Sequence, residues 1–485
     1  MRYLLYCAAV AQIFMPTALS AGPKDAELEL IRQQIEALRN EYESRIQDLE
    51  QRLEQAEDQA RKAETEAGLA RQQARAAEVA AEEAATGGPV QAGTIQEKIN
   101  AFNPAITAVL QGSMNSYSED PEDYAVSGFQ LGGESGLPAQ GLTLDETELV
   151  LSANVDQLFY GQTTIALHDD ENETEVEVEE AFIDALSLPG GAGLRFGRFY
   201  SDIGYLNRFH THTWDFRDAP LGYRALLGKQ YSDTGVQLSW VAPTDLYLRI
   251  GGETLRGNRF PGGDATRTIG NSQSAFAKLG GDIGASHSWQ AGLSHLWVDA
   301  RDRSSSHSHG HGGGDSARES FTGDSNLAIA DFVWKWAPNG NPRNRNFKFQ
   351  TEFFYRDEDG RDTFTEDGDT ALLDYDGTQK GLYAQAVYQF MPGWRIGTRY
   401  DWLSSDNNLK VIDSGGLDPE EVLEESALNN DNHDPWRWSL MADWSPSEFS
   451  RIRLQYNRDR SRPETDHQWT LQYIMSLGSH GAHEF

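Results

Sequence analysis

Three histidines stand at alternate positions in SSSHSHGHGGGD, residues 304–315: His307, His309 and His311, with Asp315 closing the stretch. Neutral imidazole and carboxylate are ligands for zinc or copper, and a glycine-rich segment can wrap such donors round one ion. The tract predicts loose capture of Zn²⁺ rather than storage; the plainer alternative is a polar loop without a ligand. A second group lies in RFHTHTWDFRDAP, residues 208–220, where His210 and His212 sit two apart. In an extended segment both rings face one way, and Asp215 could supply an oxygen, making a weak waypoint for a divalent cation. Arg208, Arg217 and Asp218 stand beside them. These charged groups could instead pin the segment through hydrogen bonds, or meet an anionic solute. What either group does depends on the elements that hold it.

The chain opens MRYLLYCAAVAQIFMPTALSAG, one arginine followed by a short apolar stretch and small residues, which predicts a secretory signal peptide over 1–21. Cys7 is the only cysteine and leaves with that peptide, so neither disulfides nor thiol chemistry are expected. No later run is long and apolar enough for a transmembrane helix, and an exported protein integral to a membrane must then be a barrel. Residues 24–85 are helix formers with apolar positions spaced alternately by three and four. The seam begins Leu28, Ile31, Ile35, Leu38 and Tyr42, contains one stutter, and turns to alanine after Leu53. This predicts a self-associating periplasmic coiled coil. A linker containing TGGPVQAG covers 86–102.

From 103 to 485 the period becomes two, with Gly, Trp, Tyr, Phe and Thr prominent. Short turns such as FYGQ, LPGGAG, APTD, GASH and MPGW alternate with long polar connections at 118–140, 170–175, 202–232, 258–274, 301–325, 358–379, 405–435 and 461–466. Sorting of turns by length predicts an all-β fold: an antiparallel transmembrane β-barrel of about 16 strands, preceded by the α-helical coiled coil. Its last strand alternates Trp469, Leu471, Tyr473, Met475 and Leu477 with Gln468, Thr470, Gln472, Ile474 and Ser476. Tyr160, Tyr200, Trp240, Trp297, Trp336, Tyr355, Trp394, Trp402, Trp436, Trp444 and Trp469 fall near strand ends, as interfacial girdles require. The third long connection, carrying Arg208, His210, His212, Asp215, Arg217 and Asp218, is expected to fold into the lumen as the pore constriction. The histidine tract lies in the fifth and is expected to face outward.

Charge narrows the function. There are 75 acidic against 41 basic residues, a net charge of −34. Runs such as HDDENETEVEVEE and YRDEDGRDTFTEDGD are expected at the outer mouth, where they favour cations. Nucleic acid is excluded as a partner by the same balance. No GxSxG, HExxH or CxxC occurs, so an enzyme is not expected.

The signal peptide, the coiled coil, the opening FNPAITAVLQG, the internal stretches LRFGRFYSDIGYLNRFHTHTWDFRDAPL and FVWKWAPNGN, and the ending SLGSHGAHEF together resemble the zinc-regulated outer-membrane porins of proteobacteria. That family is related to the coiled-coil-bearing phosphate-selective porins, and the resemblance spans essentially the whole chain. It implies a porin passing small hydrophilic solutes, with no tightly bound cofactor beyond weak Zn²⁺. Implied partners are further copies in a homotrimer, outer-membrane lipid and lipopolysaccharide, peptidoglycan through the coil, and small ions. Phosphate selectivity would need arginine and lysine ladders, and the acidic balance argues against it. Two other functions fit less of the chain: a structural tether between membrane and wall, and a metal receptor like the TonB-dependent ones but lacking a plug. Only about twenty residues separate the coil from the first strand, too few for a plug.

Overall fold

Along the last strand, Gln468, Thr470, Gln472 and Ser476 are buried, while Trp469, Leu471, Tyr473, Met475 and Leu477 between them are 43–53% exposed. A sheet in water does the opposite. The same inversion recurs where buried Arg437, Ser439 and Asp443 alternate with exposed Trp438, Leu440 and Trp444. Polar side chains can be enclosed this way only if the sheet closes on itself, leaving an apolar outer belt suited to lipid.

The computed structural model describes residues 105–132, 135–170, 173–306 and 317–478. The expected signal peptide, coiled coil and linker, the histidine tract with His307, His309, His311 and Asp315, and residues 479–485 lie outside them. No helix among the described residues is long and apolar enough to cross a membrane. The sheet contains β1 (Ala105–Ser116), β2 (Gly141–Leu144), β3 (Thr147–Asn154), β4 (Phe159–Asp170), β5 (Glu173–Ala185) and β6 (Ala192–Tyr200). It continues through β7 (Ser232–Val241), β8 (Tyr247–Leu255), β9 (Ser272–Ile283), β10 (His287–Ser306), β11 (Arg318–Trp336) and β12 (Asn346–Glu366). The remaining strands are β13 (Asp369–Met391), β14 (Trp394–Asp413), β15 (Trp436–Ser447), β16 (Ser450–Arg460) and β17 (Asp466–Gly478). β2 and β3 both pair with β1 across a break at Asp145 and Glu146 and form one wall strand. The wall is therefore a closed antiparallel barrel of 16 strands. Closure runs from Thr107↔Gly478 to Ser116↔Trp469 between β1 and β17.

Several expected loops are strand instead. β12 and β13 extend until only Asp367 and Gly368 join them, with φ of 50° and 90°, the positive pair a tight hairpin demands. β10 runs on to Ser306, β14 to Asp413, and only two residues separate β4 from β5. The strict alternation of short and long turns therefore fails at these hairpins. Residues 355–369 are acidic yet keep period two: Arg356, Glu358, Asp362 and Phe364 are buried inward, while Asp357, Asp359 and Arg361 between them are exposed to water outside. Long connections remain at 117–140, 201–231, 256–271 and 414–435, all at the end opposite Ala105 and Gly478. That end is called the far end below. Among the expected girdle residues, Trp240, Trp297, Tyr355, Trp394, Trp444 and Trp469 face outward at 39–50% exposure. Tyr200 does not: it is buried and turned inward.

The connection 201–231 enters the barrel. Its helix α1 (Leu221–Leu227) is buried along its whole length and is ended by Gly228 at φ 63°, a left-handed cap. Part of the connection 117–140 enters too, burying Phe129 and Gln130; Gln130 Nε2 donates to Glu319 (3.0 Å) and Asp362 (2.7 Å). Phe129 and Leu226 join Phe354, Tyr375, Tyr383 and Leu403 of the wall in one apolar core. The inner connections are thus packed against wall residues from β5 to β14, Phe182, Phe199 and Leu255 included.

An outward belt that meets lipid predicts a graded penalty for charge. Leu440→Arg should lose about 2–4 kcal/mol of folding stability in lipid vesicles, the penalty near a bilayer midplane. Urea titration of the refolded barrel measures it, and unchanged stability would contradict a lipid-facing belt.

Candidate functional site inside the barrel

The chain turns inward after β6 because wall carboxylates capture its backbone. Glu253 on β8 accepts from Asp202 N at 2.9 Å, and Glu352 on β12 accepts from Tyr205 N and Leu206 N at 2.9 and 3.0 Å. Asn207 then fastens the two ends of the connection together. Its Nδ2 donates to Ser201 O and Tyr231 O, each at 2.8 Å, and its Oδ1 accepts from Tyr231 N at 2.8 Å.

From that clamp, consecutive side chains reach different walls. The Arg208 guanidinium stacks 4.7 Å from the Phe209 ring centre. His210 and His212, whose rings stack at 5.8 Å, turn toward Glu148 on β3. Asp215 points elsewhere, to Lys348 at 3.0 Å and Arg395 at 2.9 Å. Arg217 pairs with Asp145 at 2.8 Å. Asp218 lies between Arg399 (2.8 Å) and Arg437 (2.9 Å) and accepts from Gln455 and Asn457 as well. The structure thus gathers the two histidines and separates them from Asp215, because two cations of β12 and β14 claim that carboxylate. Thr211–Thr213 forms a 3₁₀ turn rather than an extended segment.

Burial opposes ionisation of Asp215 and Asp218. The cations outweigh it: Lys348 and Arg395 hold the Asp215 carboxyl below the usual carboxylate range, and Arg437, Arg399 and Arg224 do so for Asp218. Burial also pushes the His210 imidazole down, but Glu148, Glu179 and Glu180 raise it well above its ordinary value.

Two cavities flank the connection. One of about 780 Å³ opens toward the near end and includes Arg208, Lys335, Lys348, Arg395 and Arg451 among its lining, with Asp215 and Asp282 as its acidic side chains. The other, about 210 Å³, lies against β1 and β2 and includes Asp145, Arg217 and Asp218. Trp214 lines both. Arg395, Arg399, Arg437, Arg451 and Arg453 stand on β14–β16, interleaved with Asp401, Asp443 and Asp459, which pair with them.

Glu148, Glu179 and Glu180 do not stand out in the sequence as partners of these histidines. Glu148 and Glu179 each place one carboxylate oxygen with His210 in a cluster whose ligand atoms lie within 4.8 Å of one another. The signal was present in EVEVEE, where Val176 and Val178 face outward. A bulge hides the rest: Thr164 pairs with Glu180 and Ile165 with Val178, so Glu179 is skipped. Both Glu179 and Glu180 are consequently buried on the inner face.

The fold and this interior define a closed barrel with a chain segment docked in its lumen. No family model matches the chain. A protein of Aquifex aeolicus (strain VF5), described as uncharacterized, is 30% identical over 363 residues, 71% of this chain and 70% of its own length. The chain belongs to the family of that protein. Solved structures similar to it include the trimer form of OmpT from Vibrio cholerae, at 8% identity and a TM-score of 0.45, covering 77% of this chain and 99% of that one. OprB of Pseudomonas putida is similar at 13% identity and 0.44, covering 79% and 96%. The outer membrane channel DcaP of Acinetobacter baumannii stands at 12% and 0.43, covering 77% and 97%.

Two outcomes test the docking. Asp218→Ala leaves Arg399 and Arg437, at most 1% exposed, with Asp401 as the one carboxylate between them and should cost about 3 kcal/mol, the lower end of the range for breaking a buried pair, read from the urea midpoint. Because the folded carboxyls are depressed, their contribution is present above the ordinary aspartate range and lost only as pH falls through the lower folded values. The stability difference between the protein and Asp218→Ala, which isolates that carboxyl, should therefore hold from about pH 7 down to about pH 4; its loss across that window would show the docking to be weaker.

Proposed function

We propose that the protein is an outer-membrane porin, a passive channel for small hydrophilic solutes with its near end in the periplasm. The observation that carries this is the cavity of about 780 Å³ left between the docked connection and a wall that is apolar outside. A barrel of this size leaves room for an aqueous path, and on this reading the path skirts Trp214 from one cavity to the other. Arg208, His210, His212, Asp215, Arg217 and Asp218 belong to the segment that narrows it.

Cation preference was expected from the acidic outer connections. The larger cavity argues for a different balance: five basic side chains line it against two acidic ones, and Asp443 behind Arg395 and Arg451 offsets part of that excess. Charge in a confined cleft acts across low dielectric, whereas charge on a solvated rim is screened within about 8 Å at physiological salt. We therefore take the rim to gather cations and the inner cavity to favour anionic groups, so that the inner cavity sets the selectivity. The zinc part of the reading stays with the tract His307, His309, His311 and Asp315, which follows β10 and precedes β11 in the sequence and would capture Zn²⁺ loosely from the medium. Trimeric assembly through the 24–85 coil, its periplasmic location and its contact with peptidoglycan complete the proposal. Zinc-dependent expression of the protein is part of it too.

In planar bilayers under a salt gradient, the reversal potential should carry the sign of anion preference, and Trp214→Ala should raise single-channel conductance. A cation-selective reversal potential would overturn the role given to the basic cavity. Absence of any conductance, in the protein and in Trp214→Ala alike, would overturn the porin. Deleting 24–85 should leave conductance intact while wall association is lost.

A further inference from the structure

Where the docked connection meets the wall, three buried side-chain atoms converge and none has a hydrogen-bond partner: Glu148 Oε2, Glu179 Oε2 and His210 Nδ1. The imidazole nitrogen lies 3.2 Å from the first oxygen and 3.4 Å from the second, yet no aligned N–H···O bond joins them. The other atom of each group is taken. Glu148 Oε1 meets His212 Nδ1 at 2.7 Å, Glu179 Oε1 accepts from the Tyr200 hydroxyl at 2.8 Å, and His210 Nε2 meets Glu180 Oε2 at 3.0 Å. Each group is thus oriented by a second partner while its remaining donor atom points to one common place.

That is how metal ligands are held. An imidazole whose far N–H donates to a carboxylate presents a bare near nitrogen, and oriented ligands of this kind bind more tightly. Zinc bonds to nitrogen and oxygen of about 2.0–2.2 Å, set at tetrahedral angles, put ligand atoms roughly 3.3–3.6 Å apart, close to the 3.2 and 3.4 Å from the imidazole nitrogen to the two oxygens, and the whole set lies within 4.8 Å. Charge points the same way. Glu146, Glu148, Glu179 and Glu180 are all buried, and Lys229 pairs with Glu146 at 2.9 Å. A buried group of carboxylates needs further positive charge nearby. The local sequence makes the convergence possible: the bulge turns Glu179 inward, and Ala166, which pairs with Glu148, is small and fully buried on the strand between.

We propose that Glu148, Glu179 and His210 bind one divalent transition-metal ion, zinc being the best match to their donors and spacing, with a water or solute oxygen as fourth ligand. Glu180, His212 and Tyr200 are positioning residues. The ion ties the inner connection to β3 and β5. It is distinct from the histidine tract at 307–311 and does not depend on the porin reading.

The test uses the full chain, folded in detergent, loaded with Zn²⁺ and dialysed. A background variant, His307→Ser with His309→Ser and His311→Ser, removes the tract, and zinc is then counted by mass spectrometry. One zinc per chain should remain. Adding His210→Ala, or Glu148→Gln with Glu179→Gln, should remove it, and adding Glu180→Gln should weaken binding by about 10–100-fold. Heat-modified gel mobility reports folding of every variant, and His210→Ala leaves the wall strands untouched. Co²⁺ in place of zinc should give the visible absorption of a tetrahedral nitrogen–oxygen site. No zinc on the background variant, or zinc retained undiminished after His210→Ala, would overturn the proposal.

Discussion

Everything inside this barrel depends on buried carboxylates finding cations across the gap between a chain segment and the wall. Asp215 and Asp218 sit on the docked connection, and their partners Lys348, Arg395, Arg399 and Arg437 sit on β12, β14 and β15. Taking such ions out of water is costly, and the cost is offset only when the geometry is good and the remaining lone pairs are satisfied. Here Gln455 and Asn457 supply the extra donors to Asp218. The wall reciprocates, with Glu253 and Glu352 capturing backbone N–H groups of the connection. Polar groups face inward because the outer face is apolar, and the connection is where those inward groups find partners.

Much of the wall was legible in the sequence. Strands such as β15 and β17 alternate so cleanly that their two faces can be assigned from residue type alone, and the count of 16 follows from those alternations. Segments like YRDEDGRDTFTEDGD were misleading, because polarity was weighed above periodicity. They are strands whose outer face meets water and whose inner face buries polar side chains against polar partners, so their period persists while their hydrophobic signal vanishes. Tyr200 illustrates a second limit: an aromatic at a strand end serves a girdle or a buried contact according to which face it occupies, and one residue of register decides.

The interior was less legible, for a physical reason. His210, His212, Asp215 and Asp218 stand out by type, but their partners are wall residues distant in sequence. Glu179 was hidden by a bulge, which shifts the inward face by one residue and breaks the rule of alternation. Gln130 and its neighbours enter the lumen from a stretch that looks like any other polar connection. The arginines of β14–β16 escaped notice because whole-chain charge averages over surfaces that never meet. Local charge, not net charge, is what a solute inside the barrel would feel.

Docking of the connection is open to a direct measurement. A Cβ built on Gly381 would lie 3.6 Å from Gly222 Cα, which puts the two Cα atoms within about 5 Å, inside the range a disulfide spans. Cys7 is the only cysteine in the sequence and falls in the expected signal peptide; because a Cβ at Gly222 would meet the Phe354 ring at 2.9 Å and one at Gly381 would meet Leu403 Cδ2 at 2.9 Å, Gly222→Cys with Gly381→Cys is made together with Phe354→Leu and Leu403→Ala, and introduces an isolated pair. Oxidation of the folded barrel should link the two quantitatively, seen as one faster band on a non-reducing gel and absent from either single variant. Two free thiols persisting under oxidant in the folded barrel would mean that helix α1 does not lie against β13, and the account of the interior would fail.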